Sequence, residues 1–457
     1  MEKIRFQLID LKSASIKTDK GTMTLMGLFV PLFIEQILMN LMGTVNTLML
    51  GHYADDAVAA VGAANQVTGF VFTFFAVISG GCSVVISHRL GAGEKKEASD
   101  AAFTSMIFSA ALSLAVGSAL SFAAYPIMGL MQLEGEVLEM AVSYFRVIMS
   151  FAVIVGMISV VSAILRSYGK PKLAVAMSLV MNLLNVIFNY FILYGPVELK
   201  WQGTTGIAVA NVCARTLSLL LGFVFLAVSN LGLEFGKKNI RTLGCIGRIL
   251  RIGVPGGVSN LSYSLSQVVS TSILAVLGTT ALTAKIYVSS IVFYVYVVGY
   301  SLGLATAILM GWMTGAGEYD RAYRLNQQIL RFAVSLNVLL SIVIFVFHKP
   351  LVGLFTKNTE IIEMTGVIFL IDILVEFGRA FNHVENNSLN GAGDVMFPMI
   401  VSMISAWGMS ILFSYLFGIK MGYGLAGCWV AFAMDEIFRG LIFFYRFRSK
   451  KWMRMKV

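Results

Sequence analysis

Residues 360–390 read EIIEMTGVIFLIDILVEFGRAFNHVENNSLN, and the fold turns on how this stretch is read. The pattern is that of one long apolar helix, yet Asp372, Glu376, Arg379 and His383 lie inside it. Their spacings of four, three and four residues put all four side chains on one helix face. At about 1.5 Å of rise per residue, Asp372 lies roughly 16 Å from Ile361, near mid-bilayer if the helix spans. Ionisable groups at that depth cost several kcal/mol unless paired or facing water, so they point to a functional site by default. The plain alternative is an internal ion pair, Glu376 with Arg379 or Asp372 with a neighbouring helix, that only locks a bundle. One pair would suffice for a lock, and the stripe holds four groups.

The rest of the chain supports a membrane setting. Of its 457 residues, 58% are hydrophobic and 13% charged, with a mean hydropathy of +0.82; a soluble protein carries about a quarter charged residues. The fold class is an all-α polytopic membrane protein. The net charge of +10 does not by itself imply nucleic acid as a partner, because what matters is where the Lys and Arg fall. Residues 1–21 are polar and basic, and the apolar run after them is longer than a signal-peptide core and lacks a small-residue cleavage site. They are expected to form a cytoplasmic tail. Cys82, Cys213, Cys245 and Cys428 are scattered, so no disulfide framework, zinc site or other metal site is indicated.

Apolar segments separated by turn signals give twelve expected spans: 24–50, 57–87, 99–125, 137–167, 173–195, 204–229, 248–277, 281–312, 322–347, 361–390, 397–418 and 424–447. With the N-terminus inside, the tails and inner loops hold 25 Lys and Arg. The other side holds six (Arg146, Lys200, Lys285, Lys349, Lys357, Lys420), and Arg215, Arg379 and Arg439 lie within spans. That asymmetry places both termini in the cytoplasm of a multi-pass protein of the cell's plasma membrane, with the bilayer as its partner and the basic excess as a topology signal.

An internal repeat organises these spans. Val30-Pro31 recurs as Val254-Pro255, Gly91-Ala-Gly-Glu94 as Gly315-Ala-Gly-Glu318, and Leu165 with Gly169 as Leu389 with Gly393, all 224 residues apart. Six spans per half give both halves one orientation, hence a parallel repeat about an axis along the membrane normal. The expected division is an N-terminal lobe at 22–235, a basic cytoplasmic linker at 236–251, a C-terminal lobe at 252–448 and a basic tail at 449–457. The linker, GKKNIRTLGCIGRILR, reads as an amphipathic helix on the inner surface. Two six-helix lobes facing a cavity are the architecture of an alternating-access transporter; a channel or scaffold is the other reading of a duplicated bundle.

At this point the sequence resembles the multidrug and toxic compound extrusion (MATE) transporters, of the multidrug/oligosaccharidyl-lipid/polysaccharide flippase superfamily. The resemblance rests on Pro31-Leu-Phe-Ile-Glu35 through Gly43-Thr-Val-Asn46-Thr-Leu-Met-Leu-Gly51, the two GAGE loops, Leu165-Arg-Ser-Tyr-Gly169-Lys-Pro171, Gly378-Arg-Ala-Phe-Asn382 and Gly391-Ala-Gly-Asp394. It implies efflux of amphipathic, often cationic, small organic compounds in exchange for inward H⁺ or Na⁺, with no other cofactor and no enzymatic step. The chain also departs from the family. Asn46 stands where well-known branches carry a span-1 Asp, and Asn185 and Asn189 stand where span 5 carries Asn and Asp. Asn211 replaces a span-6 Thr, Tyr263 a span-7 Glu, and Arg379 a span-10 Asp. An amide takes up no proton at physiological pH, so a protonated carboxylate that couples transport must be another one.

The candidates are few. Glu376 and Asp372 come first, with Arg379 as tuning partner; Glu35 comes second, the one acid well inside the first lobe, where Arg215 is the deep cation. Desolvation favours the neutral carboxyl and a nearby Arg the ionised one, so their balance can place a buried acid near working pH. Drug and proton would then compete for one negative site. His383 is either a proton relay or a polar contact. Asp435 and Arg439, one turn apart in span 12 beside Glu436, read as a mutually satisfied pair, with Asp435 also a candidate for the substrate cavity. Asn182, Asn185 and Asn189, with Asn46 and Asn211, form a polar cluster that suits Na⁺, substrate or interhelical packing. Tyr263, Tyr287 and Tyr294 are candidate cavity aromatics for organic cations, and Pro31 and Pro255 candidate hinges. The chain is expected to act as a monomer. A flippase for a lipid-linked or polysaccharide precursor is the alternative within the same architecture. No HExxH, GxSxG or Walker A motif points to an enzyme or an ATP-driven pump.

Overall fold

The computed structural model describes residues 15–18, 21–51, 54–194, 203–233, 244–455 and 457. In the first half, α1 (Leu25–Gly51), α2 (Asp55–Gly91) and α3 (Lys95–Phe122) are followed by the short α4 (Ala124–Gly129). Then come α5 (Gly135–Ser150), α6 (Ala152–Ser167), α7 (Pro171–Tyr194) and α8 (Thr204–Val228). The second half holds α9 (Gly244–Ala275), α10 (Thr279–Gly315), α11 (Tyr319–Val346), the short α12 (His348–Gly353), α13 (Thr359–Gly391), α14 (Met396–Ser405) and α15 (Gly424–Arg448). Each expected span has its helix, and the chain is an all-α membrane protein. Among the described residues, eight helices, or nine with the pair α5–α6 counted as one bent span, are long and apolar enough to cross a membrane. The remaining three are more polar for visible reasons. Serines 259, 262, 264, 266, 270 and 272 dilute α9, and acids and arginines interrupt α13 and α15.

The repeat survives into the backbone. Helices α2, α3 and α4 begin and end 224 residues before α10, α11 and α12. The GAGE loops recur because each stops a helix in the same way. Gly93 (φ +79°) and Gly317 (φ +75°) take the left-handed conformation that costs glycine least. The next amide then closes the helix end, Glu94 N to Arg89 O at 2.8 Å and Glu318 N to Met313 O at 2.9 Å. The halves differ at the fourth span: α5 and α6 meet at a 50° bend, whereas α13 runs 33 residues without a break.

By packing, the chain forms two units: residues 34–257, and residues 1–33 with 258–457. Both borders lie two residues beyond a proline, Pro31 and Pro255, and they too are 224 apart. This grouping differs from the lobes expected at 22–235 and 252–448. In the unit of residues 34–257, the N-terminal part of α9 lies against α2 almost backbone to backbone. A Cβ on Gly81 would come within 2.1 Å of the Ile249 carbonyl, and one on Gly253 within 2.1 Å of the Val77 carbonyl. In the other unit, Leu25, Leu28 and Leu32 of α1 join a core with Leu302, Leu309, Leu389, Phe443 and Phe447.

Three local expectations are revised. The expected tail contributes to the packed core: β1 (Ser15–Thr18) pairs antiparallel with β2 (Gly21–Thr24), and the cross-strand pair Ile16–Met23 is buried in the same core as Leu25. One apolar residue per strand is too little alternation to read from sequence. The linker's residues 236–243 lie outside the described residues, while 244–251 continue into α9 rather than forming a separate helix. Span 11 is regular only as far as Ser405, then passes into π-helical turns at Ala406–Ile411 and Ser414–Lys420.

Candidate coupling and binding site

The long helix α13 forms because its ends are capped as well as its middle being apolar. The Asn358 side chain accepts from Glu360 N at 3.0 Å at the start. Asp394 N reaches Leu389 O at 2.9 Å at the end, through Gly393 at φ +89°. Held between these caps, its charged stripe meets α10, α11 and α15, all in the same unit.

The result is one continuous polar chain. Glu376, with 0% exposure, accepts from Asn337 Nδ2 of α11 at 3.1 Å and from Arg379. The Arg379 Nε lies 3.6 Å from Glu436 of α15, and Glu436 accepts from Asn382 at 2.7 Å and pairs with Arg439 at 3.0 Å. Arg439 also donates to Asp435 at 2.7 Å, and Asp435 accepts from Ser405, the last residue before the π-helical turns. One turn along α13, Asp372 accepts from Trp429 Nε1 at 3.1 Å. Three buried acids are thus joined to the partly buried Arg379 and the buried Arg439, with the buried Asp372 one turn away on α13, and the four acids and two arginines leave a two-charge acidic excess when all are ionised. Asp435 and Arg439 do satisfy each other, but the same guanidinium reaches Glu436 as well. Ion pairs this deep gain strength from the low dielectric and lose it to desolvation, so the network fixes geometry more surely than it adds stability.

Aromatic rings face the cations. Arg379 lies over Tyr296 at 5.6 Å and Arg439 over Tyr263 at 6.0 Å. The His383 ring meets Tyr296 and Tyr300 edge-on at 5.1 and 5.7 Å, and its buried Nε2 has no hydrogen-bond partner. Tyr287 instead lies against Phe355, tilted, at 5.3 Å between ring centres, and Tyr294, 58% exposed, contacts Phe293.

In the unit of residues 34–257, Asn189 donates to Asn46 at 2.7 Å and to Asn185 at 3.3 Å. Asn182 and Asn211 bond backbone carbonyls one turn back, Ser178 O and Ile207 O. Glu35 is paired with Arg166 at 2.7 Å, not with Arg215, which lies over Phe72 at 5.2 Å. The long arginine side chain carries its charge away from its own Cα, so Arg166, at the inner end of the expected span 137–167, reaches an acid within α1. Pro31 and Pro255 sit inside α1 and α9, which continue through them.

Sequence reasoning missed Asn337, Asn382, Ser405, Trp429 and Arg166 as partners, and missed Glu385 and Asn326 altogether. Asn326 and Asn337 are 11 residues apart on α11, about three turns, and so share a face; that spacing was the available signal.

These features are those of a membrane transporter of the MATE type. The MatE family model matches residues 31–191 and again 255–416, two copies that start at the two prolines, and the chain belongs to this family. It is 35% identical over 97% of its length to the "Uncharacterized transporter YisQ" of Bacillus subtilis, covering 98% of that protein. It is 27% identical to the "Probable multidrug resistance protein NorM" of Thermotoga maritima, over 95% of this chain and 93% of that one. The fold matches a solved outward-facing multidrug resistance MATE family transporter with a TM-score of 0.87 at 20% identity, covering 94% of this chain and 96% of that one. A superfamily transporter from Pyrococcus furiosus, described as having a binding pocket of reversed polarity, matches with a TM-score of 0.83 at 20% identity, over 94% and 96% of the two chains.

Proposed function

We propose that the protein is a secondary active antiporter of the plasma membrane, both termini cytoplasmic, that exports amphipathic organic cations in exchange for inward protons by alternating access of its two halves. The observation that carries this reading is the acidic excess of the buried network Asp372, Glu376, Arg379, Asp435, Glu436 and Arg439. A cation or a proton can each neutralise that excess, so the two compete, and exchange follows from competition. Loss of a buried charge also changes which conformation is favoured, since only the ionised form needs its partners or water. The name of the Thermotoga maritima relative, a multidrug resistance protein, supports small-molecule export.

One observation favours a second reading, a flippase for an anionic lipid-linked precursor. The half-buried Arg215 has no acidic group within 4 Å among the described residues, and its Nε lacks a partner; an anionic headgroup would supply one. Ethidium transport in inverted membrane vesicles separates the cases, with a pH gradient and a sodium gradient imposed in turn. Transport under the pH gradient alone is expected. Transport under sodium alone removes the proton, and none under either removes organic-cation antiport.

A further inference from the structure

Nine residues beyond Glu376 on α13 lies an acid outside the network. Glu385 is 1% exposed, and Asn326 of α11 donates its Nδ2 to both carboxylate oxygens, at 3.0 and 3.1 Å. The amide is itself held in place: Ser388 Oγ donates to Asn326 Oδ1 at 2.5 Å. No Lys, Arg or His nitrogen lies within 4 Å of Glu385 among the described residues, and its partners there are the Asn326 amide protons. The nearest charges on these elements belong to the network: Glu436 of α15 accepts from Asn382, three residues before Glu385, and pairs with Arg379 and Arg439. Facing this part of α13, α11 offers Asn326, α10 offers Gly299 and Gly303 with the phenols of Tyr296 and Tyr300, and α15 offers Gly440 against Phe381 and Asn382. The imidazole of His383 is the other titratable group on this stretch.

This arrangement repeats the one at Glu376. Along a single seam, Asn337 serves Glu376 and Asn326 serves Glu385, with the asparagines three turns apart on α11. Glu376, however, has Arg379 to hold its charge, and Glu385 has a neutral amide. A carboxylate buried with neutral partners is costly, so Glu385 can exchange a proton without orphaning a cation. Between the two levels glycines let α10 pack closely on α11 and α13. A Cβ on Gly299 would lie 2.9 Å from Asn337 Nδ2 and 3.4 Å from the His383 ring, and one on Gly303 would lie 2.7 Å from the His383 carbonyl. The unpartnered Nε2 of His383 lies on the same stretch of α13, two residues before Glu385.

We propose that Glu385 is a second proton-binding site, the inner station of a path from the Glu376 level along the seam of α10, α11 and α13 to the cytoplasmic end of α13. The proposal rests on the proton-coupled reading above. A proton leaving the Glu376 carboxyl is taken up by Glu385 and is released from Glu385 to water; no other bond changes.

The test uses the full-length protein in liposomes, with ethidium as probe and two assays: accumulation driven by a pH gradient, and one-for-one ethidium exchange at equal pH. Glu385→Gln keeps the acceptor for Asn326 but carries no proton, so gradient-driven accumulation should be lost and exchange retained. Retention of both, or loss of both in a folded protein, overturns the proposal. Absence of gradient-driven transport in the unmodified protein overturns the antiport reading and this proposal with it. If Glu385→Gln does not fold, Glu385→Asp decides: gradient-driven transport with a shifted pH midpoint is expected, and an unchanged midpoint overturns the site.

Discussion

Replacing Arg379 by Gln removes the cation that Glu376 and Glu436 share, and the two acids do not lose equally. Glu436 keeps Arg439 at 3.0 Å and Asn382 at 2.7 Å. Among the described residues Glu376 keeps only the Asn337 amide at 3.1 Å, with no exposed surface. The cost is therefore that of one orphaned buried carboxylate, about 3–5 kcal/mol. At about 2 °C per kcal/mol, the lower end of the range for larger domains, the melting midpoint should fall by roughly 6–10 °C. The assay is thermal unfolding of purified protein in detergent at neutral pH and one fixed heating rate, since such unfolding is governed by rate. Adding Glu376→Gln removes the orphan, so the double variant should melt above the Arg379→Gln single variant and recover more than half of the loss. An unchanged midpoint for Arg379→Gln, or losses that simply add in the double variant, would refute the pairing on which the site is built.

Other consequences follow from the same contacts. Gly253→Ala should destabilise the protein by about 1–3 kcal/mol, because its Cβ meets a carbonyl that cannot swing aside. Gly256→Ala, with open space around it, should leave the heat-treated size-exclusion profile unchanged. Gly317→Ala should cost about 1 kcal/mol by forcing a side chain into the left-handed region, read as a lower melting midpoint. Arg166→Gln should lower the yield of folded protein by orphaning Glu35, and Glu35→Gln in the same chain should restore it. Asn189→Leu should cost only about 0.6 kcal/mol, the mean for a polar contact between helices in a membrane, so a large loss of transport without unfolding would assign the Asn46–Asn189 pair a role in binding.

Much of the fold was legible because a bilayer imposes one period and one length on every span, and because a duplication shows each boundary twice. Pro31 with Pro255 and Gly93 with Gly317 carry that signal directly. The face shared by Asp372, Glu376, Arg379 and His383 was legible for the same reason, helical spacing. What could not be read were partners on other helices. Trp429 for Asp372, Asn337 for Glu376 and Ser405 for Asp435 depend on which helices touch and at what level. Glu385 escaped for another reason: nine residues from Glu376 is half a turn out of phase, so a search along one stripe passes over it. The hairpin at Ser15–Thr24 and the π-helical turns after Ser405 reflect tertiary packing that local propensity does not encode.

The claim that cargo and proton compete for the buried acids is tested most directly by counting protons at equilibrium. Ethidium is titrated calorimetrically into purified protein in two buffers of different ionisation enthalpy, at a pH where binding is half-maximal. The unmodified protein should release protons as ethidium binds, and Glu376→Gln should release fewer. Binding with no proton release in the unmodified protein, or with the same release in the variant, would contradict that claim.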